Sequence, residues 1–227
     1  MPNKISVIIP AFNEEQSIGL VLDALPKEIL HQILVVNNAS TDNTVAVAQI
    51  HGAKVVHEPR RGYGSACLAG MAHLDEPDIV VFLDGDFSDY PEEILSLLKP
   101  IEEEKADFVL GSRMILAESR KALLPQARYG NWLAVFLIRL FFGKSYTDLG
   151  PFRAIRYKSL KKLKMQDTNF GWTVEMQIKA VKENLSILEI PVRYRDRVGV
   201  SKITGTVSGT FRAGTKIIYT IIKYLLI

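Results

Sequence analysis

The chain has 227 residues, of which 48% are hydrophobic and 23% charged, with a net charge of +3. That is enough apolar material for one sizeable core, and it excludes a disordered or fibrous chain. The single cysteine, Cys67, excludes an internal disulfide and fits a reducing compartment. The pattern along the chain then alternates. Ile5–Pro10 reads as a buried strand, and Glu14–Ala24 as a helix with Asn13 as its N-cap. Ile33–Val36 is a second strand, and a helix runs from Thr41 or Asp42 to Ile50. Lys54–His57, Gly64–His73, Ile79–Leu83, Pro91–Lys99 and Asp107–Leu110 follow as strand, helix, strand, helix and strand. This alternation predicts an α/β fold with a doubly wound, mostly parallel sheet. In such sheets ligands bind beyond the carboxyl ends of the strands. Each strand end here carries polar or glycine residues: Asn13-Glu14, Asn37-Asn38, Glu58–Gly64 and Asp84–Asp86.

Asp84-Gly85-Asp86 follows the apolar run Ile79–Leu83. Two carboxylates held at a strand end offer hard oxygen ligands with open positions, which suits Mg²⁺ or Mn²⁺ carrying a diphosphate. An Asp- and Gly-rich turn is the plainer reading of the same three residues.

Beyond Gly111 the pattern changes. Pro125–Gly143 reads as a long helix, and its aromatic residues Trp132, Phe136, Phe141 and Phe142 are expected in the core. Gly171–Glu175 opens another helix, and Leu188–Val192 is a late strand. From Pro191 onward seven cations face Asp196 alone, a balance of +6 that leaves −3 on the rest of the chain. A basic segment of this kind suits an anionic partner. In Ile203–Ile227 the pairs Ile217-Ile218, Ile221-Ile222 and Leu225-Leu226 recur every four residues, as on one helical face. The stretch is too short for the about 20 apolar residues that span a bilayer. It can lie in a membrane interface, or pack against the domain or a second subunit in a homodimer. The division expected is therefore a domain over residues 1–202 and an amphipathic helix over 203–227, whose removal from Lys216 on leaves a soluble fold. His31, His51, His57 and His73 are scattered without ligand-like spacing, and Cys67 is expected to be buried and inert.

Ile8-Ile9-Pro10-Ala11-Phe12-Asn13-Glu14-Glu15 resembles the opening of family 2 glycosyltransferases, inverting enzymes of the GT-A fold. Val35–Asp42, Arg61-Gly62-Tyr63-Gly64 and Asp84-Gly85-Asp86 are similar to that family's second strand end, phosphate-side loop and metal motif. Gly111-Ser112-Arg113 and Asp148-Leu149-Gly150-Pro151-Phe152-Arg153 resemble the branch of dolichyl-phosphate mannose and glucose synthases. The resemblance implies a donor pocket for a UDP- or GDP-hexose lined by Pro10, Ala11, Asn13, Glu14 and Asn37, with Arg60, Arg61, Gly62 and Gly64 beside the diphosphate. It implies that Asp86 binds Mg²⁺ or Mn²⁺ directly and that Asp84, next to Gly85, faces ribose or metal. Arg113 would bind a donor or acceptor phosphate, or form a salt bridge near the sheet. Arg195–Lys202 resembles a loop that closes over donor phosphate and acceptor, so Arg153, Arg197, Ser201 and Lys202 would hold a phosphate acceptor. Glu175 and Asp148 are the candidate bases if the acceptor is a hydroxyl.

The implied activity is transfer of a hexose to a polyprenyl phosphate, in the cytoplasm and peripherally at the cytoplasmic membrane face. Transfer to a sugar hydroxyl of a glycan or glycolipid is the alternative, and a non-catalytic sugar-nucleotide adaptor a further one. A nucleotidyltransferase would want a glycine-rich basic loop after the first strand, where Ala11-Phe12-Asn13-Glu14 stands. No aromatic-basic stacking surface points to nucleic acid.

Overall fold

The computed structural model describes residues 2–199 and 207–226. Its centre is a seven-stranded sheet. The strands are β1 (Ile5–Ala11), β2 (Gln32–Asn37), β3 (Lys54–His57), β4 (Ile79–Phe82), β5 (Phe108–Ser112), β6 (Arg153–Arg156) and β7 (Ile187–Pro191). Their spatial order is β3-β2-β1-β4-β6-β5-β7. All neighbours pair in parallel except β6, which runs antiparallel to β4 and β5. Both faces of the sheet are covered, which is why the inner strands read as unbroken apolar runs. Alternation along each strand feeds two cores. Val7, Ile9, Val35 and Val81 pack on one side, and Ile8, Leu34, Val36 and Val80 on the other.

The first side is covered by α1 (Ile18–Ala24), α2 (Thr44–Ile50) and α4 (Ile94–Glu102). The second carries α3 (Tyr63–Ala72), α6 (Pro125–Phe142), α7 (Tyr157–Leu163), α8 (Trp172–Lys182) and α9 (Val207–Leu226). The short α5 (Ala117–Ala122) links β5 to α6.

Four sequence expectations change. The first helix begins at Ile18, not Glu14. Asn13 has φ 53°, and residues 14–17 form a turn in which Ser17 and Ile18 donate to the Glu14 carbonyl. Asn13 is therefore no N-cap. Secondly, β6 was not foreseen. Its four residues, Arg-Ala-Ile-Arg, look like surface chain, yet Arg153 is fully buried and pairs in register with Phe82 of β4. Thirdly, α6 turns much of its aromatic content outward: Trp132, Phe136 and Phe141 are exposed, and Phe142 alone of the four packs against the core. The buried face is made instead by Asn131, Ala134 and Ile138. Finally, of the placements left open for the last helix, α9 takes the one against the domain. It packs on α6 and α8 and places Thr220, Ile221 and Tyr224 in the interior. Among the described residues no helix is long and apolar enough to cross a membrane.

Candidate functional site

The carboxyl ends of β1 and β4 open into a cavity of about 480 Å³. Its floor is Asp84, Gly85 and Asp86 after β4, with Pro10 and Ala11 at the end of β1 and Phe12 after it. Asp84 lies deep, with Oδ1 shut from solvent and, among the described residues, without a hydrogen-bond partner. Burial first, and the neighbouring charge of Asp86 second, push its carboxyl up to about 7, although a hydrogen bond from Tyr63 opposes them. Asp86 Oδ1 accepts from the Ser88 backbone at 3.0 Å and the Ser88 hydroxyl at 2.5 Å. Its Oδ2 faces Arg197 Nη1 at 3.2 Å.

An orphaned buried carboxylate oxygen beside a second carboxylate fits a divalent cation, which supplies the missing counter-charge. Among the described residues no group of three or more acidic, His or Cys side chains could hold a metal. A cation at Asp84 and Asp86 would thus complete its oxygen shell from a ligand or water.

Positive charge converges from three directions. Arg197 bridges Asp86 and Glu14, whose Oε1 accepts from Nη2 at 2.8 Å. It sits on a strap that is tied down along its length. Arg193 pairs with Glu92 and Glu93, Arg195 donates to the Phe87 and Asp89 carbonyls, and the Val198 N–H reaches the Asp86 carbonyl at 3.0 Å. Arg61 lies over the Phe12 ring, 3.8 Å from its centroid, on the opposite rim. Arg212 reaches the cavity from α9, one turn beyond Gly209.

The remaining wall holds Ala66, Asn169, Phe170 and Gly209, which sequence reasoning passed over, and Phe12, Tyr63 and Arg212, which its motifs and charge count contained without a role of their own. The segment 165–171 carries no motif, so its approach could be seen only through its partner glycines. A Cβ on Gly64 would lie 2.0 Å from the Asp167 carbonyl oxygen, and one on Gly62 2.1 Å from that of Thr168. These glycines therefore admit the neighbouring loop, and Gly64 itself does not line the cavity.

Several expected site residues have other duties. Asn38, not Asn37, lines the cavity; it donates to the Glu58 and Arg60 carbonyls and accepts from Gly62 N–H at 2.8 Å. Asn37 closes its own turn by accepting from the Ser40 N–H, and it faces His57. Asn13 accepts from the Thr41 N–H and joins the first two strand ends. Arg60 points outward beside Glu58. Asp148 is fully buried and clamps Arg113 in a two-pronged pair, at 2.7 and 2.9 Å, besides accepting from the Arg113 N–H. That is the salt bridge near the sheet; neither residue lines the cavity. Glu175 is equally buried. It accepts from the Gln166 and Asp167 N–H groups, from Lys179 at 2.7 Å and from the Tyr224 hydroxyl at 2.6 Å. Arg153 donates to the Leu149, Gly150 and Thr173 carbonyls, is sealed from solvent and does not line the cavity. Ser201 and Lys202 lie outside the described residues.

Comparison with known proteins agrees with this geometry. A model described as glycosyl transferase family 2 matches residues 6–164. An uncharacterized glycosyltransferase of Mycobacterium tuberculosis is 34% identical over 210 residues, 92% of this chain and 94% of that protein. An undecaprenyl-phosphate mannosyltransferase of Micrococcus luteus is 29% identical over 223 residues, 91% of this chain and 90% of that protein. Glucosyl-3-phosphoglycerate synthase from Mycobacterium tuberculosis, solved with Mn²⁺, UDP and glucosyl-3-phosphoglycerate, superposes with a TM-score of 0.79 at 23% identity. The match covers 99% of this chain and 81% of that one.

Proposed function

The chain belongs to glycosyl transferase family 2 and is a glycosyltransferase, and from that premise we propose that it moves a hexose from a nucleoside-diphosphate sugar to a polyprenyl phosphate. The observation that carries the acceptor half is the state of the two candidate bases. Asp148 and Glu175 are both buried in ion pairs, away from the cavity, while Arg61, Arg197 and Arg212 line it. A hydroxyl acceptor needs a base to take its proton. A phosphate monoester, with its second pKa of about 6, arrives largely ionised and needs cations to position it. The mannosyltransferase of Micrococcus luteus, with its prenyl-phosphate name, supports the same choice.

The donor half follows from the floor. Pro10, Ala11, Phe12 and Asn38 form the wall on which the nucleoside would lie. Asp84 and Asp86 would hold Mg²⁺ or Mn²⁺; when bound, the ion neutralises charge on the departing diphosphate. Arg197 is placed to pass from its carboxylate partners to phosphate oxygens, and Arg61 to meet them from the other rim.

The test is calorimetry with UDP, GDP and their hexose conjugates, with and without Mn²⁺. Binding of one nucleotide that requires the metal, and that Asp86→Ala abolishes, is the expected result. Metal-independent binding, or none, would overturn the donor assignment. Sugar transfer is then assayed with undecaprenyl phosphate, 3-phosphoglycerate and a neutral glycoside side by side; transfer to the hydroxyl of 3-phosphoglycerate or of the glycoside, and not to undecaprenyl phosphate, would sink the phosphate acceptor.

A further inference from the structure

The outer face of α6 is a long apolar surface that the donor site does not explain. Tyr129, Trp132, Phe136 and Leu140 recur at helical spacing and are all exposed, with Trp132 at 54% and Phe136 at 49%. The rings of Tyr129 and Trp132 lie 5.8 Å apart, and those of Trp132 and Phe136 stack at 5.9 Å. The neighbouring α9 has its own outward stripe: Phe211, Tyr219, Ile222 and Leu226. The two helices contact each other and bury their inner faces in the same core, so both stripes look out from one side of the sheet. Exposed apolar stripes of this kind mark an interaction surface.

Charge says what covers it. Residues 119–147 contain Arg120, Lys121, Arg128, Arg139 and Lys144 and no Asp or Glu, and residues 207–226 contain Arg212, Lys216 and Lys223, again without an acid. Arg120, Lys121, Arg128 and Arg139 are exposed. A second copy of the chain seated here would set these cations against their own duplicates, which a two-fold contact does not tolerate well. Lys216 is paired with Asp167, but the exposed cations of α6 and its flanks have no acid beside them in residues 119–147, and aromatic side chains among such cations suit the headgroup layer of an anionic bilayer, where Trp and Tyr settle.

We infer that α6 and α9 together form a docking face for an anionic lipid bilayer, with Trp132 and Phe136 inserted at headgroup depth. The inference deepens the function proposed above and rests on it for what the docked protein does, not for the docking. The same helix that carries the Phe211 stripe also sends Arg212 into the cavity. A phosphate borne by a lipid of that bilayer is thus presented at the cavity's α9 rim rather than across the molecule.

The chain carries its own probe. Of its two tryptophans, Trp172 is fully buried and Trp132 exposed, so a lipid-dependent emission change reports Trp132. The experiment mixes the full chain with phosphatidylcholine vesicles, with and without phosphatidylglycerol, using brominated acyl chains as quencher. Expected are a blue shift and quenching with the anionic vesicles, weakened by salt, and no quenching in Trp132→Phe. Trp132→Glu with Phe136→Glu is expected to lower vesicle co-sedimentation about tenfold or more while metal-dependent nucleotide binding persists. Should that pair disturb the fold, Arg128→Glu with Arg139→Glu, both at exposed polar positions, is expected to remove the dependence on phosphatidylglycerol. Absence of quenching, or vesicle binding untouched by both pairs, would overturn the inference. So would sedimentation showing a dimer that the Glu pair dissolves, since the face would then belong to a second copy. Nucleotide binding without vesicle binding defeats the docking face alone; vesicle binding without nucleotide binding defeats the donor site alone.

Discussion

Asp84 and Arg197 set the resting electrostatics of the site. The folded Asp84 carboxyl titrates at about 7, well above its ordinary 3.8. A raised acid holds its proton more tightly in the folded chain than in the unfolded one. Its contribution is therefore complete below about pH 4 and is lost as pH climbs to about 7. Asp84→Asn is expected to flatten that part of the stability profile and to raise the melting temperature at pH 8, read by thermal melts across pH 4–8 without metal. Divalent-cation affinity should run the opposite way, rising to about pH 7 and levelling beyond it, because the ion binds the carboxylate. Arg197 occupies the position facing Asp86 Oδ2. Arg197→Ala is expected to bind Mn²⁺ alone more tightly, since a competing cation is gone. It should bind the nucleoside diphosphate about 10–100-fold more weakly, the worth of a charge-assisted hydrogen bond. Weakening of both in calorimetry would mean that the strap shapes the site instead of screening it. At this scale the sequence was a partial guide. The Asp84–Asp86 turn and Glu14 stood out by residue type and position. Asn37 and Asn38 did not separate, because the choice between them depends on which side chain the strand end turns inward. Arg113 and Arg153 look like ligands in one dimension; in three, Arg113 pairs with Asp148, Arg153 bonds backbone carbonyls, and neither lines the cavity.

The elements show why motifs at distant positions meet at one end of the sheet, even those, such as Asp148–Phe152, that do not line the cavity. An antiparallel β6 between β4 and β5 brings Asp148–Phe152 to the sheet edge where Asp84 emerges. No periodicity announces a four-residue strand bounded by arginines, so this link was invisible beforehand, while the parallel strands, richer in Val, Ile and Leu, were legible. The loop 165–171 is held by similarly silent contacts. Gly64→Ala would drive a Cβ to within 2.0 Å of the Asp167 carbonyl oxygen, and the backbone can yield only by moving the wall that carries Asn169 and Phe170. Overpacking of this kind costs about 1–3 kcal/mol or more. Chemical denaturation should show that loss together with weaker nucleotide binding. Glu175 holds the same loop and reaches Tyr224 on α9. Removing one partner of a buried ionic cluster costs about 3–5 kcal/mol. Glu175→Ala is thus expected to lower stability by that order, with any folded fraction retaining its pH–rate profile. A shifted profile with unchanged stability would restore Glu175 as a base.

On the scale of the whole molecule the question is whether α9 can be removed. Periodicity alone treated it as a separable amphipathic segment. The structure makes it a shared wall: Ile221 and Tyr224 are buried in the core beneath it, Thr220 is sealed against Gly171, and Lys216 pairs with Asp167 at 2.8 Å. Burial of one large apolar side chain contributes about 1.5–3 kcal/mol. Exposing Ile221 and Tyr224, together with the half-buried Ile217, would then take away several kcal/mol from a domain whose total stability is about 5–15. Deleting Lys216–Ile227 is accordingly expected to destabilise the fold and the cavity with it, not merely to release the chain from lipid. The two functions of the helix separate only by face. Phe211→Ser with Ile222→Ser changes the outward stripe and leaves the inward one intact. That variant is expected to keep the parent melting temperature within a few degrees and its nucleotide binding, while losing vesicle binding. If it melts early instead, the outward stripe is packed in solution by something other than lipid, and α9 serves the core on both faces.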